Sequence, residues 1–176
     1  PHGKVFSLDP THPQAQQHYR ESLQSLMDAG CRYYKVDFIG KAGDTSGRFH
    51  DTQQARGNPM LRHEMQQIRD VIGPDSWLRY CSAPSNAYCG IVDIGGASAD
   101  IGNASGNWTH LANYHQQIGT CWYKHRTFWH NEPDALIVGE GEENEARMRC
   151  AWLVLSGGVV ALGDDLTKIA PERMAM

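Results

Sequence analysis

The sequence predicts an α/β fold, a (β/α)8 TIM-type barrel incomplete in this chain, on three observations. Short apolar strands alternate with amphipathic helices, as parallel βα units require. Several strands end in a carboxylate, namely Asp9, Asp37, Asp100, Asp134 and Asp164, and barrel chemistry sits at the carboxyl ends of strands. The turn after the first strand reads Asp9-Pro10-Thr11-His12-Pro13. It cannot supply the run of free backbone N–H groups that a doubly wound nucleotide-binding sheet places there. About six βα units do not close an eight-stranded barrel. Residues 1–176 are therefore expected to form one barrel domain, with N-terminal strands and any C-terminal β domain missing.

The elements follow in order. Residues 5–8 form the first strand, and Pro13 suits a helix start. Tyr19, Leu23, Leu26 and Met27 recur at helical spacing until Gly30 stops the helix. Residues 33–38 are the second strand, followed by a long polar Gly-rich loop over 40–51. Met60, Leu61, Met65, Ile68, Val71 and Ile72 mark a helix that closes at Gly73-Pro74. The third strand is 77–80, and an apolar segment at 91–94 starts the next unit, leading into Asp100. Trp108, Leu111, Tyr114 and Ile118 line a further helix. A strand at 127–130 ends in Asn131-Glu132-Pro133-Asp134. A helix over 142–155 opens on acidic residues that suit its dipole, and the last strand, 158–162, ends in Asp164-Asp165.

Composition narrows the function classes. Sixteen Lys plus Arg against 20 Asp plus Glu leave a net charge of −4, which gives no electrostatic grip on nucleic acid or anionic membranes. With 40% hydrophobic and 20% charged residues, the chain has the makings of a packed core rather than a disordered segment. The longest apolar stretch, around 154–162, is short and broken by glycine, so no membrane span is expected. Cys31, Cys81, Cys89, Cys121 and Cys150 form no CxxC pair and are expected to be free thiols. The spacing of His110, His115, His125, His130 and Cys121 matches no zinc pattern, so no metal is expected. Asn103-Ala104-Ser105 and Asn107-Trp108-Thr109 fit the N-glycosylation pattern, which also arises by chance.

Two segments carry candidate chemistry. Strand alternation puts Lys35 and Asp37 on one face and Val36 on the other. Two charged residues on the inward face of a buried strand are costly unless paired or functional. The same pattern also fits a structural salt bridge inside the barrel. Asp100 follows Gly95-Gly96-Ala97-Ser98-Ala99, small residues that let a substrate approach closely. Read alone, it fits a turn or N-cap aspartate equally well. Glycoside hydrolysis needs two carboxyl groups flanking one bond, one ionised to attack and one protonated to assist departure. Asp37 and Asp100 could supply them.

Four segments in order resemble the α-galactosidase (melibiase) clan of glycoside hydrolases, families 27 and 36. They are Leu8-Asp9-Pro10-Thr11-His12-Pro13, Tyr34-Lys35-Val36-Asp37, Trp129-His130-Asn131-Glu132-Pro133-Asp134-Ala135-Leu136, and the stretch from Leu155-Ser156-Gly157-Gly158 to Gly163-Asp164-Asp165-Leu166. The resemblance implies a retaining glycosidase that cleaves terminal α-linked sugars, most often α-galactosides, by double displacement without a cofactor. It implies Asp37 as nucleophile and Asp100 as general acid/base. It also implies that Lys35 hydrogen-bonds sugar hydroxyls, that Cys81 lines the sugar subsite, and that Asp134 is mainly architectural. Gly96 stands where the clan commonly has an arginine that reads the sugar 2-position, and Glu132 replaces an aspartate. A transglycosylase of the same clan and a non-catalytic carbohydrate-binding barrel relic are the alternatives.

Overall fold

Pro13 and Gly30 bracket the first helix as their backbone preferences demand. The computed structural model describes residues 7–39, 48–54, 56–81, 86–101 and 108–176. In it α1 spans Pro13–Asp28, with His12 as its cap accepting the Gln14 amide. Gly30, at φ 92°, turns the chain away, while its own N–H and that of Cys31 close on Met27 and Leu26 carbonyls at 2.9 and 3.0 Å. The chain is organised as two compact units, Pro1–Asp93 and Ile94–Met176.

In the first unit, α1 packs on α2, Asn58–Ile72. The strands β1, Tyr33–Val36, and β2, Trp77–Tyr80, pair in parallel with Tyr34 opposite Leu78 and Val36 opposite Tyr80. Tyr34, Leu78 and Tyr80 are buried together with Met60, Met65, Ile68 and Ile72 of α2. Each such side chain contributes about 1.5–3 kcal/mol of burial free energy. Arg69 ties the lower end of the unit. Its guanidinium donates to the carbonyls of Ile91, Gly73 and Ser76 and to Asp93 Oδ2.

In the second unit, β3, Ile94–Gly96, and β4, His130–Glu132, pair in parallel with Gly95 opposite Asn131 and Gly96 opposite Glu132. The helix α3, Trp108–Thr120, buries Leu111, Tyr114 and Ile118 against Ile101, with Ile137 and Trp152 packed alongside. A second parallel pair joins β5, Ala135–Leu136, to β6, Ala161–Leu162. Between them α4 spans Glu143–Ser156, with Glu143 and Glu145 in its first turn and Gly157 capping it at φ 62°. A single turn, α5, follows at Pro171–Met174. No helix among the described residues is long and apolar enough to cross a membrane.

Several expected boundaries move. Val5 and Phe6 of the first expected strand lie outside the described residues, as do Asn103 and Asn107 of the glycosylation patterns, and Ser7 and Leu8 form no strand. The expected strand at 91–94 is a buried turn that becomes strand only at Ile94, because the amides of Ile91 and Val92 close back on the Tyr88 carbonyl. Likewise Thr127 and Phe128 turn back onto the Lys124 carbonyl, at 3.2 and 2.9 Å, so the strand expected at 127–130 begins at His130. The last expected strand shortens to Ala161–Leu162.

Candidate active site

Strand alternation decides what β1 presents. Tyr34 is buried, whereas Tyr33, Lys35 and, one step beyond the strand, Asp37 are exposed. The Lys35–Asp37 face anticipated from sequence is thus a single face, but within its unit it is open rather than interior. The β1–β2 register continues past the strand ends, since the Cys81 amide donates to the Val36 carbonyl at 2.7 Å. Asp37 and Cys81 therefore stand side by side at the carboxyl ends of adjacent parallel strands. Lys35, Asp37 and Cys81 are brought to one end of the unit.

The backbone turns sharply at this point. Phe38 has φ 58°, a left-handed conformation rare for a bulky side chain. Its amide donates to Asp37 Oδ1 at 2.8 Å. Such strain costs roughly 1–3 kcal/mol and is concentrated at functional positions. Asp37, Lys35 and Phe38 line a cavity of about 390 Å³ whose other walls include Tyr19 and Leu23 of α1 and Glu64 and Ile68 of α2.

Glu64 has no counterpart in the sequence expectations. It is buried, at 5% exposure. Tyr19 donates its hydroxyl to Oε1 at 3.3 Å, and Oε2 has no partner. Burial pushes its carboxyl up to about 7, against the opposing pull of the Tyr19 hydrogen bond. Tyr19 itself is raised to about 12 by burial, then by the Glu64 charge and hydrogen bond. A signal existed: Glu64 lies four residues after Met60 and four before Ile68, on the buried stripe of its helix.

The three other carboxylates that the sequence places at strand ends accept backbone amides. Asp9 accepts the Thr11 amide and hydroxyl at 2.8 and 2.7 Å and the His50 amide at 2.5 Å. Although burial acts to raise it, these bonds hold its carboxyl below the usual range. Asp164 accepts the amides of Val138 and Gly139 at 2.7 and 3.0 Å. Asp134, in a left-handed conformation with φ 68°, accepts the Ile101 amide at 2.5 Å.

That last bond lies next to Asp100, whose side chain is exposed. Ala99 N donates to Gln117 Oε1 at 2.6 Å, and a ring nitrogen of His110 lies 3.0 Å from the Asp100 carbonyl. Gly96 sits in β3 opposite Glu132. The other histidines have local partners: His115 stacks on Trp152 at 5.0 Å, and His125 Nδ1 accepts the Asn131 amide at 3.1 Å. All five cysteines are free thiols.

No protein-family model matches the sequence. Among solved structures, the chain is similar to an α-galactosidase from Thermus thermophilus in complex with stachyose, with a TM-score of 0.67 and 19% identity. It is similar too to the same enzyme with p-nitrophenyl α-D-galactopyranoside, at 0.68 and 20%. Both alignments cover 97% of this chain, but only 38% and 36% of those chains. The chain thus spans well under half the length of the structures it matches. Its fold is α/β with parallel strand pairs, and it is similar to part of a solved α-galactosidase.

Proposed function

We propose that this chain supplies the catalytic carboxyl groups of a retaining glycosidase that cleaves terminal α-linked sugars, most specifically α-galactosides. Asp37 is the nucleophile and Asp100 the general acid/base, in a (β/α)8 barrel of which the chain forms part. One observation supports this reading above others. Asp37 and Asp100 are the exposed carboxylates beyond β1 and β3, in a fold similar over 97% of its length to α-galactosidase structures. The remaining candidates, Asp9, Asp134 and Asp164, are less exposed, and each accepts the amide of a residue far along the chain, His50, Ile101 and Val138 respectively, whereas Asp37 accepts that of its neighbour Phe38.

The chemistry proceeds in two displacements. Asp37 attacks the anomeric carbon, forming a carbon–oxygen bond as the glycosidic bond breaks. Asp100 gives its proton to the departing oxygen. Water then enters, Asp100 takes its proton, and the hydroxide equivalent displaces Asp37 from the sugar, restoring the starting configuration. Lys35 donates hydrogen bonds to sugar hydroxyls from the same face as Asp37, and Cys81 lines the subsite beside it. Gly96 leaves the sugar 2-position without the clan's usual guanidinium contact. Two carboxyl groups suffice for an oxocarbenium-like transition state, so no metal or organic cofactor enters. In a retaining site the two carboxyl groups stand about 5–5.5 Å apart.

The test is to trap the intermediate with a fluorinated galactosyl fluoride and map the labelled peptide by mass spectrometry. The label is expected on Asp37. A label on any other residue overturns the assignment.

A further inference from the structure

The geometry points to Asp134 and Gln117 as positioning residues that fix the backbone on either side of Asp100 and so aim its carboxyl group. This rests on the reading of Asp100 as the general acid/base.

A general acid must bring its proton within about 2.6–3.2 Å of the leaving oxygen. A carboxylate on an exposed loop holds such a position only if the chain beneath it is fixed. After β3 the chain leaves regular structure, so strand pairing does not hold residues 99–101. Side chains hold them instead. The Ala99 amide donates to Gln117 Oε1 of α3 at 2.6 Å. The Ile101 amide donates to Asp134 Oδ2, between β4 and β5, at 2.5 Å. Peptide groups on both sides of Asp100 are thereby anchored, by two different elements of the same unit. The Ile101 side chain is buried in the core cluster with Leu111, Tyr114 and Ile118.

The support for Asp134 is itself costly, which argues that its placement matters. Asp134 occupies a left-handed conformation, which aspartate tolerates better than most residues but not freely. Tyr114 donates its hydroxyl to the carbonyl of Pro133, so the residue before Asp134 is tethered to α3 as well.

The test exploits the fact that proton donation matters only for poor leaving groups. Asp134→Ala and Gln117→Ala are prepared in the full-length protein, alongside Asp134→Asn and Asp100→Ala. Each is assayed with an unactivated α-galactoside and with a dinitrophenyl α-galactoside. Misplacing a reacting group by about 1 Å can cost about a hundredfold. Asp134→Ala is therefore expected to lower kcat/KM for the unactivated substrate about ten- to a hundredfold, with little change for the dinitrophenyl substrate. Gln117→Ala, at an exposed position that does not endanger folding, should show a smaller loss of the same selective kind. Asp134→Asn tolerates the left-handed backbone and keeps an oxygen acceptor, so it should recover much of the loss. Equal losses on both substrates in the two alanine variants, or none, overturn the positioning role while leaving Asp100 in place. Should Asp100→Ala lack leaving-group dependence, the acid/base reading falls and the positioning role falls with it.

Discussion

The hydroxyl of Tyr19 on α1 donates to Glu64 Oε1 on α2 at 3.3 Å, and this interhelical bond is the polar link that accompanies burial of the Glu64 carboxyl. Burial raises Glu64 to about 7, while the Tyr19 bond lowers it only partly back. Tyr88, raised to about 12 chiefly by burial, also feels the Glu64 charge.

A sign follows for stability. The folded protein keeps Glu64 protonated up to about pH 7, whereas the unfolded chain releases that proton near its ordinary value of 4.5. Folding stability is therefore expected to fall as pH rises between those two values. Glu64→Gln removes the ionisation and keeps a similar shape. Urea unfolding at pH 5 and pH 8 should show wild type losing on the order of 1–3 kcal/mol relative to the variant across that interval. Parallel pH dependences in the two proteins would remove Glu64 as the cause.

In the second unit the slope runs the other way. His115 is buried beside Trp152, ring on ring at 5.0 Å, and burial, then the Arg149 charge, lowers it to about 4. The unfolded chain takes up a proton near the ordinary value of 6.5, but the folded unit refuses it until about pH 4. Stability is thus complete above about pH 6.5 and is lost as pH falls toward 4. His115→Phe keeps the stacking and removes the titration. Its denaturation midpoint between pH 7 and pH 4.5 should drop less than that of wild type. An equal drop would show that other groups carry the acid lability.

Arg69 makes the first unit depend on one guanidinium. It donates to three carbonyls and meets Asp93 at 2.5 Å. Asp93 in turn accepts the Leu78 amide at 2.7 Å, so this aspartate is spent on holding β2. Arg69→Met keeps the apolar stem but strands the partly buried Asp93 and three acceptors. A loss of about 2–4 kcal/mol is expected by denaturant unfolding. Asp93→Asn, which retains an acceptor for Leu78, should cost clearly less. A variant Arg69→Met within error of wild type would show that water replaces the whole network.

The parts of this fold legible in sequence were those with local chemistry. Pro13 and Gly30 delimit α1, Gly73 closes α2, and the short run Trp77–Tyr80 coincides with β2. Short apolar segments misled where tertiary bonds decide the backbone. Residues 91–92 and 127–128 look like strand but curl onto Tyr88 and Lys124. The two-residue strands β5 and β6 are too short for alternation to register. The same division holds for the candidate site. Lys35 and Asp37 share a face because a strand has period two, and Cys81 joins them through the β1–β2 register. The Asp134–Ile101 bond joins residues 33 positions apart, and no local pattern records such a contact. Glu64 stood on a visible stripe, but a charged residue there reads as an interruption until its neighbours are seen.

Under the proposed mechanism Asp37 and Asp100 should respond differently to neutralisation, because one would make a bond to carbon and the other would only move a proton. Asp37→Asn deprives the first displacement of its nucleophile. No glycosyl-enzyme should form, even from a dinitrophenyl galactoside whose departure needs no acid. Asp100→Asn leaves that first displacement intact with the same substrate, yet water then lacks its base. The intermediate should accumulate as a burst followed by turnover slowed about 10²–10⁴-fold, the usual worth of general acid–base assistance. Azide, a nucleophile that needs no deprotonation, should restore turnover in Asp100→Asn and release a galactosyl azide of the configuration that double displacement dictates. It should do nothing of this kind for Asp37→Asn within the retaining pathway. The measurement is a stopped-flow burst with product analysis by NMR. A burst in Asp37→Asn, or a galactosyl azide of inverted configuration from Asp100→Asn, would exchange or dissolve the two roles.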